Sequence, residues 1–236
     1  MNEIPKPKAP EEPSIAFYER QGSEYVANQR EFYSGNKDTG REFFRNALAQ
    51  NIDQLTIADV GCGAGDDAIT YKQMGAARVF GIEPSRVMLA EAEKTVEKSG
   101  LAVELMQGKW DHIPLPDASV DAITARYSFH VAPDLDCSYL EAARVLKKGG
   151  IFLIGVPHPN HDAKVVAEQN LKPGEKMKVP LFHGKFTVDI PPHTMGEYLS
   201  ATCQQYFEVE EQVGYSMHED ETEKEPTGLL LKLRRK

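Results

Sequence analysis

Short apolar runs alternate with longer segments of helical periodicity across the middle of this chain. Five runs have the length and β-branched content of buried strands: 55–60, 78–82, 102–106, 120–125 and 151–156. Chains that alternate in this way build parallel strand–helix–strand units, because each helix returns the chain to the same edge of the sheet. The pattern therefore predicts an α/β domain with a doubly wound, mostly parallel sheet.

The segment 134–148 carries the clearest helix signals. Asp134 and Asp136 stand where the positive end of a helix favours carboxylates, and Lys147 and Lys148 stand at the negative end. The following glycine supplies a left-handed stop. We expect one helix over the whole segment.

Residues before this alternation predict additions to the same domain. Residues 1–13 contain four prolines and several charges, which predicts a flexible tail. In 14–50 the aromatic and apolar residues recur at helical spacing with an interruption near 34–36. We therefore expect a helical cap of two helices and a turn, within a single domain over 14–236.

The periodicity fades after the fifth strand. Residues 157–194 are rich in Pro, His, Lys and Gly, which predicts an inserted lid or long loop that carries specificity. A helix near 195–203 and strands at 206–213 and 228–234 would complete a seven-stranded sheet with a reversed terminal strand. The acidic stretch 218–225 is typical of a solvated loop, with a cationic partner as the alternative.

Composition limits the classes of partner. The chain has 27 Lys and Arg against 36 Asp and Glu, a net charge of −9, whereas nucleic-acid binding relies on clustered cations. We expect a small-molecule partner and no nucleic acid. The apolar run 151–156 is too short for a bilayer, and no signal peptide is evident, which favours a cytoplasmic protein without membrane contact. Cys62, Cys137 and Cys203 form no CxxC pair, as expected of reduced thiols. The sequence leaves the oligomeric state open.

A glycine-rich turn, DVGCGAGD at 59–66, follows the first predicted strand and opens a helix. Glycines there let backbone approach a ligand closely, and open α/β sheets bind ligands at this edge. In a dinucleotide fingerprint the third small residue lies three positions after the second glycine, where this chain has Asp66. The turn predicts a ligand site whose pattern for a nicotinamide dinucleotide is broken.

Charge around the turn gives an independent indication. Asp59, Asp66, Asp67 and Glu83 all fall in or near the predicted mouth of the site. Carboxylates beside a pyrophosphate would oppose the positive helix end that normally binds it. A cationic nucleoside without phosphates fits better.

Four stretches resemble one family in order and spacing over residues 55–156. They are DVGCGAG, GIEPSRVMLAEAEK, QGKWDHIPLPDASVDAI and EAARVLKKGG. These resemble the class I S-adenosylmethionine-dependent methyltransferases, specifically the small-molecule group called type 11. The resemblance implies a Rossmann-like methyltransferase fold, S-adenosylmethionine as cofactor with S-adenosylhomocysteine as product, and methyl transfer to a small-molecule acceptor.

The resemblance also implies a set of cofactor-binding residues. Glu83 matches the acidic residue that holds both ribose hydroxyls, a strong bidentate contact, and Asp59 matches the residue linked to the amino group. Met88 would cover the adenine face, with helix core as the alternative. The remaining matches are Gly61, Gly63 and Gly65 in the loop, Pro84 after Glu83, and Tyr25 and Arg30 as the N-terminal pair that folds over the cofactor carboxylate.

The adenine position departs from the family pattern. Lys109 replaces the usual Asp, and a lysine cannot accept a bond from the adenine amine. Either Asp111 or a backbone carbonyl takes over, or Trp110 holds adenine by stacking and through its amide. Core packing is the alternative role of Trp110.

Catalytic candidates come from topology alone. Arg126 and His130 follow the fourth strand, where the family has the methionine end of the cofactor and the substrate, so Arg126 is a candidate for both roles. His193 is the preferred lid contact. Each of the three has a purely structural alternative, such as bracing a helix. We expect no metal, although the HPNHD stretch 158–162 contains two imidazoles and a carboxylate that suit one.

Two other functions fit part of these features. One is a cofactor-binding partner subunit without its own chemistry. The other, less favoured by the broken fingerprint, is a nicotinamide-dependent oxidoreductase. Methyl transfer needs mainly proximity and orientation of the two reactants, with a histidine base as an option for a hydroxyl acceptor. The sequence identifies neither the acceptor nor the atom that is methylated.

Overall fold

The computed structural model describes residues 13–32, 39–216 and 225–236. Within these ranges the strands and helices follow one another along the chain. The strands are β1 (Thr56–Val60), β2 (Arg78–Glu83), β3 (Glu104–Gln107), β4 (Val120–Arg126), β5 (Leu146–Pro157), β6 (Met177–Leu181), β7 (Phe186–Ile190), β8 (Phe207–Tyr215) and β9 (Gly228–Arg235). The helices are α1 (Pro13–Phe32), α2 (Thr39–Ala49), α3 (Asp66–Gln73), α4 (Arg86–Ser99), α5 (Leu135–Val145), α6 (Pro159–Glu168), α7 (Met195–Tyr198) and α8 (Ala201–Tyr206).

The central sheet has seven strands in the order β3, β2, β1, β4, β5, β9, β8. The first five run parallel to one another, and β9 runs antiparallel to both β5 and β8. This arrangement confirms the predicted doubly wound, mostly parallel sheet with one reversed strand. Its carboxyl edge, where β1, β2 and β4 end, is the edge at which such sheets bind ligands.

Both faces of the sheet are covered by apolar side chains. Ala58 and Val60 pack with Phe129 and Phe152 in one buried cluster. Ile57 belongs to a second cluster, because successive residues of a strand point to opposite faces. Burial on both faces explains why the strands read as near-continuous apolar runs rather than as alternating ones.

The helix expected over 134–148 ends earlier than predicted. Asp134 does cap it, since Oδ1 accepts the backbone N–H of Cys137 (3.0 Å), but α5 stops at Val145. Leu146 is fully buried and pairs with Val120 at the start of β5, so burial of this leucine in the sheet overrides the helix signals. Gly149 (φ 74°) therefore turns the chain inside β5 rather than ending α5.

The flanking segments agree with the prediction in part. The insertion, which we define as residues 157–194, is not a loop, because it contains α6 and the hairpin β6–β7. The single helix expected near 195–203 is divided into α7 and α8, which Thr194 and Ser200 cap separately. Both N-terminal helices are present. The predicted turn near 34–36, the first twelve residues of the tail and most of the acidic stretch 218–225 lie outside the described residues.

Helix α1 and the β6–β7 hairpin cover the carboxyl edge of the sheet. Helix α1 packs on α4 so closely that a Cβ on Gly22 would lie 3.0 Å from the Met88 sulfur. Its Phe17 also joins the buried cluster formed by the β6–β7 hairpin. Among the helices described, none combines the length and hydropathy needed to cross a bilayer.

Candidate active site

A cavity of about 820 Å³ lies at the carboxyl ends of β1, β2 and β4, beneath α1 and the insertion. Its volume falls in the upper part of the range of roughly 300–1,000 Å³ usual for small-molecule sites. Most of the residues proposed from the sequence line it: Tyr25, Asp59, Gly61, Gly63, Glu83, Pro84, Met88, Lys109, Trp110, Asp111, Arg126 and His130. Arg30, Gly65 and His193 do not.

The turn after β1 requires glycine for a steric reason. Gly61 has φ 73°, and a Cβ there would lie only 2.2 Å from the Ser128 Cβ at the end of β4. The Gly61 amide donates to the carbonyl of Ile82 (2.7 Å), which holds the turn against β2. The Ser128 side chain thus occupies the space that a side chain at position 61 would need. Glycine lets the turn pass close to the end of β4 and next to the cavity.

Glu83 ends β2 as a buried carboxylate already held by backbone. Its Oε2 accepts the amide of Gly63 (2.9 Å) and its Oε1 accepts the amide of Ser85 (3.0 Å). Burial raises the pKa of Glu83 to about 7, and these two hydrogen bonds oppose the rise. Since a carboxylate has about four acceptor positions, the fixed group can still accept two further donors such as hydroxyls.

A second acidic cluster lies beneath the glycine turn. Asp67 accepts Nε of Arg126 (2.6 Å) on one oxygen and Nε of Arg41 (2.7 Å) on the other. Although burial opposes it, these two arginines lower the pKa of Asp67. Asp59 Oδ1 accepts the hydroxyl of Thr124 (2.8 Å), whereas its buried Oδ2 has no hydrogen-bond partner within the described ranges. Burial and the charge of Asp67 raise the pKa of Asp59 to about 7.

The wall after β3 combines core packing with a cavity surface. Trp110 is buried and meets Phe129 edge to face at 5.0 Å between ring centroids, yet it also lines the cavity. Its Nε1 has no hydrogen-bond partner in the part of the chain that the structure describes. Lys109 Nζ pairs with Asp111 (2.9 Å). Met88 likewise is both buried in α4 and exposed to the cavity.

Three sequence-predicted residues lie outside the cavity wall. Arg30 donates to Oγ1 of Thr95 (2.8 Å) and pairs with Asp66 (3.3 Å), which ties α1 to α4 and α3. Gly65 caps α3 in a left-handed conformation. The imidazole of His193 bonds through Nε2 to the backbone carbonyl of His130 (2.9 Å), so it braces the wall rather than facing the cavity.

His130 lines the cavity as a neutral imidazole. It is 5% exposed, and burial, followed by the charge of His193, lowers its pKa to about 3. Nδ1 of His130 lacks a hydrogen-bond partner among the described residues. At neutral pH the uncharged ring can donate or accept a hydrogen bond in the cavity.

Sequence reasoning missed several cavity residues. Tyr18, which stacks edge to face on Tyr25 (5.1 Å), and Arg41 line the cavity without belonging to any motif. His161 and Asp162 line it as well; they stand in the HPNHD stretch, whose sequence favours ordinary loop polarity, with a metal site as the alternative. Over the described ranges, no group of three His, Cys, Asp or Glu residues has the arrangement of a metal site.

The strand order, the glycine turn after β1 and the acidic residue ending β2 place this fold in the class of Rossmann-like methyltransferase folds. Residues 58–154 match the family model described as a methyltransferase domain. The resemblance seen over 55–156 is confirmed by this match. The match favours this family over the nicotinamide-dependent oxidoreductases.

Individual relatives agree with the family match. The chain is 38% identical over 110 residues to a sterol 24-C-methyltransferase of Gibberella zeae, covering 44% of this chain and 29% of that protein. It is 37% identical over 103 residues to the ubiquinone/menaquinone biosynthesis C-methyltransferase of Bartonella henselae, covering 41% and 39%. The matched stretch thus spans well under half the length of these curated relatives.

The fold has a solved counterpart over most of the chain. An S-adenosylmethionine-dependent methyltransferase from Mesorhizobium loti superimposes with a TM-score of 0.65 at 21% identity. The alignment covers 84% of this chain and 98% of that one. At this identity the similarity concerns the fold.

Proposed function

We propose that this chain is an S-adenosylmethionine-dependent methyltransferase that acts on a small-molecule acceptor. The observation that carries the proposal is the buried oxygen Oδ2 of Asp59, which finds no hydrogen-bond donor among the described residues. An isolated carboxylate oxygen in a buried site is costly unless a donor or a cation reaches it. The cofactor is a cation without phosphates and has an amino group that suits this oxygen.

The other residues around the turn fit the remaining parts of the cofactor. Glu83, fixed by the amides of Gly63 and Ser85, has acceptor capacity left for two ribose hydroxyls. Trp110 and Met88 offer an aromatic and a thioether surface to the adenine ring. These assignments follow the family pattern and agree with the positions of the side chains.

The protein's own contribution to the reaction is alignment and exclusion of water. When bound, S-adenosylmethionine supplies a methyl group already activated on a sulfonium. Helix α1 and the insertion enclose the cavity from above, so an acceptor is held against the sheet edge and shielded from solvent. Orientation of this kind provides a large part of the rate enhancement of bimolecular transfers.

Calorimetric titration with S-adenosylhomocysteine and with a nicotinamide dinucleotide tests the cofactor assignment. We expect uptake of the first and none of the second. Glu83→Gln keeps the shape but removes the charge, and charge-assisted hydrogen bonds of this kind predict a loss of about tenfold or more in affinity. Glu93→Gln, an exposed position on α4, is the matched control and should bind like the wild type.

Turnover separates an enzyme from a partner subunit without chemistry. A screen of metabolites for S-adenosylhomocysteine formation should yield at least one acceptor. Binding of the cofactor in full, with no turnover over a broad panel, would favour the partner subunit. Failure of the wild type to bind S-adenosylhomocysteine would overturn the proposed function.

A further inference from the structure

The insertion side of the cavity is mostly apolar. Met177, Val179 and Leu181 alternate along β6, so they share one face of the hairpin, and all three line the cavity. Val165 of α6 and Ile190 of β7 extend the same wall. This face suits an apolar part of a ligand, while Gln169, Lys178 and His183 place polar groups elsewhere on the insertion side.

One buried carboxylate interrupts this apolar wall. Asp162 stands in the first turn of α6 and is 3% exposed. Its Oδ2 accepts the backbone N–H of His193 (3.1 Å), which fixes the carboxylate in place. Its Oδ1 has no hydrogen-bond partner among residues 13–32, 39–216 and 225–236, and Nδ1 of His161 lies 3.9 Å from it.

The neighbours of Asp162 leave further polar atoms without protein partners. Nδ1 of His130, Nδ1 of His193 and the hydroxyl of Tyr198 are buried and find no hydrogen bond within the described part of the chain. The His193 and Tyr198 rings lie 5.4 Å apart, and His193 bonds to the His130 carbonyl, so these groups form one cluster. Buried polar groups are normally satisfied. Asp162 and His130 line the cavity, where a polar ligand group can reach them, whereas water can complete His193 and Tyr198 behind the wall.

We propose that Asp162 recognises the amino group of the acceptor, and that the acceptor is a predominantly apolar amine. This inference rests on the proposed function. An unpaired carboxylate in an apolar wall attracts a cation or an N–H donor and repels an anion. Glu168 and Lys178 line the cavity as well, and Lys178 pairs with Asp189 (3.0 Å), so the discrimination against acidic acceptors rests on Asp162.

Charge movement in the reaction favours an amine over an alcohol. An amine that arrives as an ammonium first loses a proton to water. The lone pair of the neutral amine then forms the new N–CH₃ bond while the C–S bond breaks and its electron pair stays on sulfur. The positive charge thereby passes from sulfur to nitrogen, and the resulting ammonium loses a proton to water after release. Asp162 would face the atom on which this charge develops, where a fixed carboxylate stabilises it.

Binding to the complex with S-adenosylhomocysteine tests the inference without depending on turnover. The probes are arylalkylamines, with the alcohols and the carboxylates of the same carbon skeletons, measured by calorimetry. We expect the amines to bind about tenfold or more tightly than the alcohols, and the carboxylates to bind weakest. Asp162→Asn should remove this preference while it changes the affinity for S-adenosylhomocysteine by less than about twofold.

Two further variants keep the test decisive. Asp53→Asn alters an exposed aspartate near the amino end of β1, away from the cavity, and should leave amine binding unchanged. If Asp162→Asn does not fold, Asp162→Glu keeps the charge but displaces the carboxylate, and should weaken amine binding while still rejecting carboxylates.

The outcomes separate this inference from the proposed function. Equal binding of amines and alcohols, binding of no amine, or amine binding that Asp162→Asn leaves intact would each overturn the role of Asp162, even if S-adenosylhomocysteine binds normally. Absence of S-adenosylhomocysteine binding by the wild type would overturn the proposed function and this inference together.

Discussion

The two ends of the cavity are built differently. At the cofactor end the acidic groups lie on adjacent parallel strands, and the register of the sheet places Asp59 directly beside Thr124, whose hydroxyl it accepts. Glu83 is fixed by two backbone amides, that of Gly63 in the neighbouring turn and that of Ser85 two positions further along the chain. At the acceptor end Asp162 lies outside the seven-stranded sheet and is held by one N–H from a residue 31 positions away. The cofactor end is therefore specified by the sheet, and the acceptor end by contacts within the insertion.

This difference explains why a shared fold accommodates different acceptors. Replacing the insertion leaves the strand ends and their hydrogen bonds in place, because none of the contacts that fix Asp59 or Glu83 comes from residues 157–194. Functional variation concentrates in segments that a rigid scaffold supports. A substitution at one end should then leave the other end unaffected, which can be measured.

The largest effect is expected at the turn that supports the cofactor end. Gly61→Ala combines a positive φ, which costs about 1–2 kcal/mol for a residue with a Cβ, with a contact of 2.2 Å to Ser128. Overpacking of this kind adds about 1–3 kcal/mol. We expect a lower free energy of unfolding in urea and loss of S-adenosylhomocysteine binding.

Gly75→Ala is the control for Gly61→Ala. Gly75 also has a positive φ (103°), but a Cβ there would meet nothing within 4 Å. It should show only the backbone cost and bind S-adenosylhomocysteine normally. Equal destabilisation by the two substitutions would contradict the steric role of Gly61.

A crossed pair of substitutions measures the independence of the two ends. Glu83→Gln should weaken S-adenosylhomocysteine by about tenfold or more and leave the preference for amines over alcohols intact at saturating cofactor. Asp162→Asn should do the reverse. In the double variant the two losses should add within about 0.5 kcal/mol, as they do for distant sites. A larger coupling energy would show that the cofactor end and the acceptor end are not energetically independent.

The same difference determined what the sequence could predict. The strands, their parallel order, the glycine turn and Glu83 were predictable because βα periodicity and contiguous motifs specify them locally. The end of α5 was not, because the helix signals of Lys147 and Lys148 are local whereas burial of Leu146 against Val120 is a tertiary effect. Asp162 was not predictable as a cavity residue, since its contact with His193 depends on how the insertion folds.

Cofactor binding should depend on pH because burial raises the pKa values of Asp59 and Glu83, at the cofactor end, to about 7. The cationic cofactor favours their ionised forms, so affinity should increase as pH rises through about 7 and level off above it. The charges of Asp67, Arg126 and Glu83 act on Asp59, and the charge of Glu19 acts on Glu83, so these charges shift the midpoint. Calorimetric titration with S-adenosylmethionine between about pH 5.5 and 8.5 measures this dependence. Glu83→Gln should make the affinity depend less on pH.

Stability without cofactor should show the opposite trend. Glu83 has an ordinary pKa of 4.5 and a folded pKa of about 7, so between these values the folded state holds more protons than the unfolded state. The contribution of Glu83 to the free energy of unfolding should therefore fall as pH rises from about 4.5 to 7, and the loss is complete above that range. His130, whose pKa is lowered to about 3, contributes the opposite slope below about pH 6.5, so the difference between the wild type and Glu83→Gln isolates the Glu83 contribution. A difference that grows in favour of the wild type as pH rises would contradict the burial of this carboxylate.

The smallest effects concern the adenine wall, where Lys109 stands in place of the family's aspartate. The Lys109–Asp111 pair is substantially exposed (side chains 47% and 38%), and such pairs contribute about 0–1 kcal/mol. Lys109→Ala should therefore change the affinity for S-adenosylhomocysteine by about threefold or less. If Asp111 accepts the adenine amino group, Asp111→Ala should cost about 0.5–1.5 kcal/mol of binding. That cost should vanish for an analogue without the amino group. An equal loss for both ligands would instead assign adenine recognition to stacking on Trp110, whose buried ring does not depend on either charge.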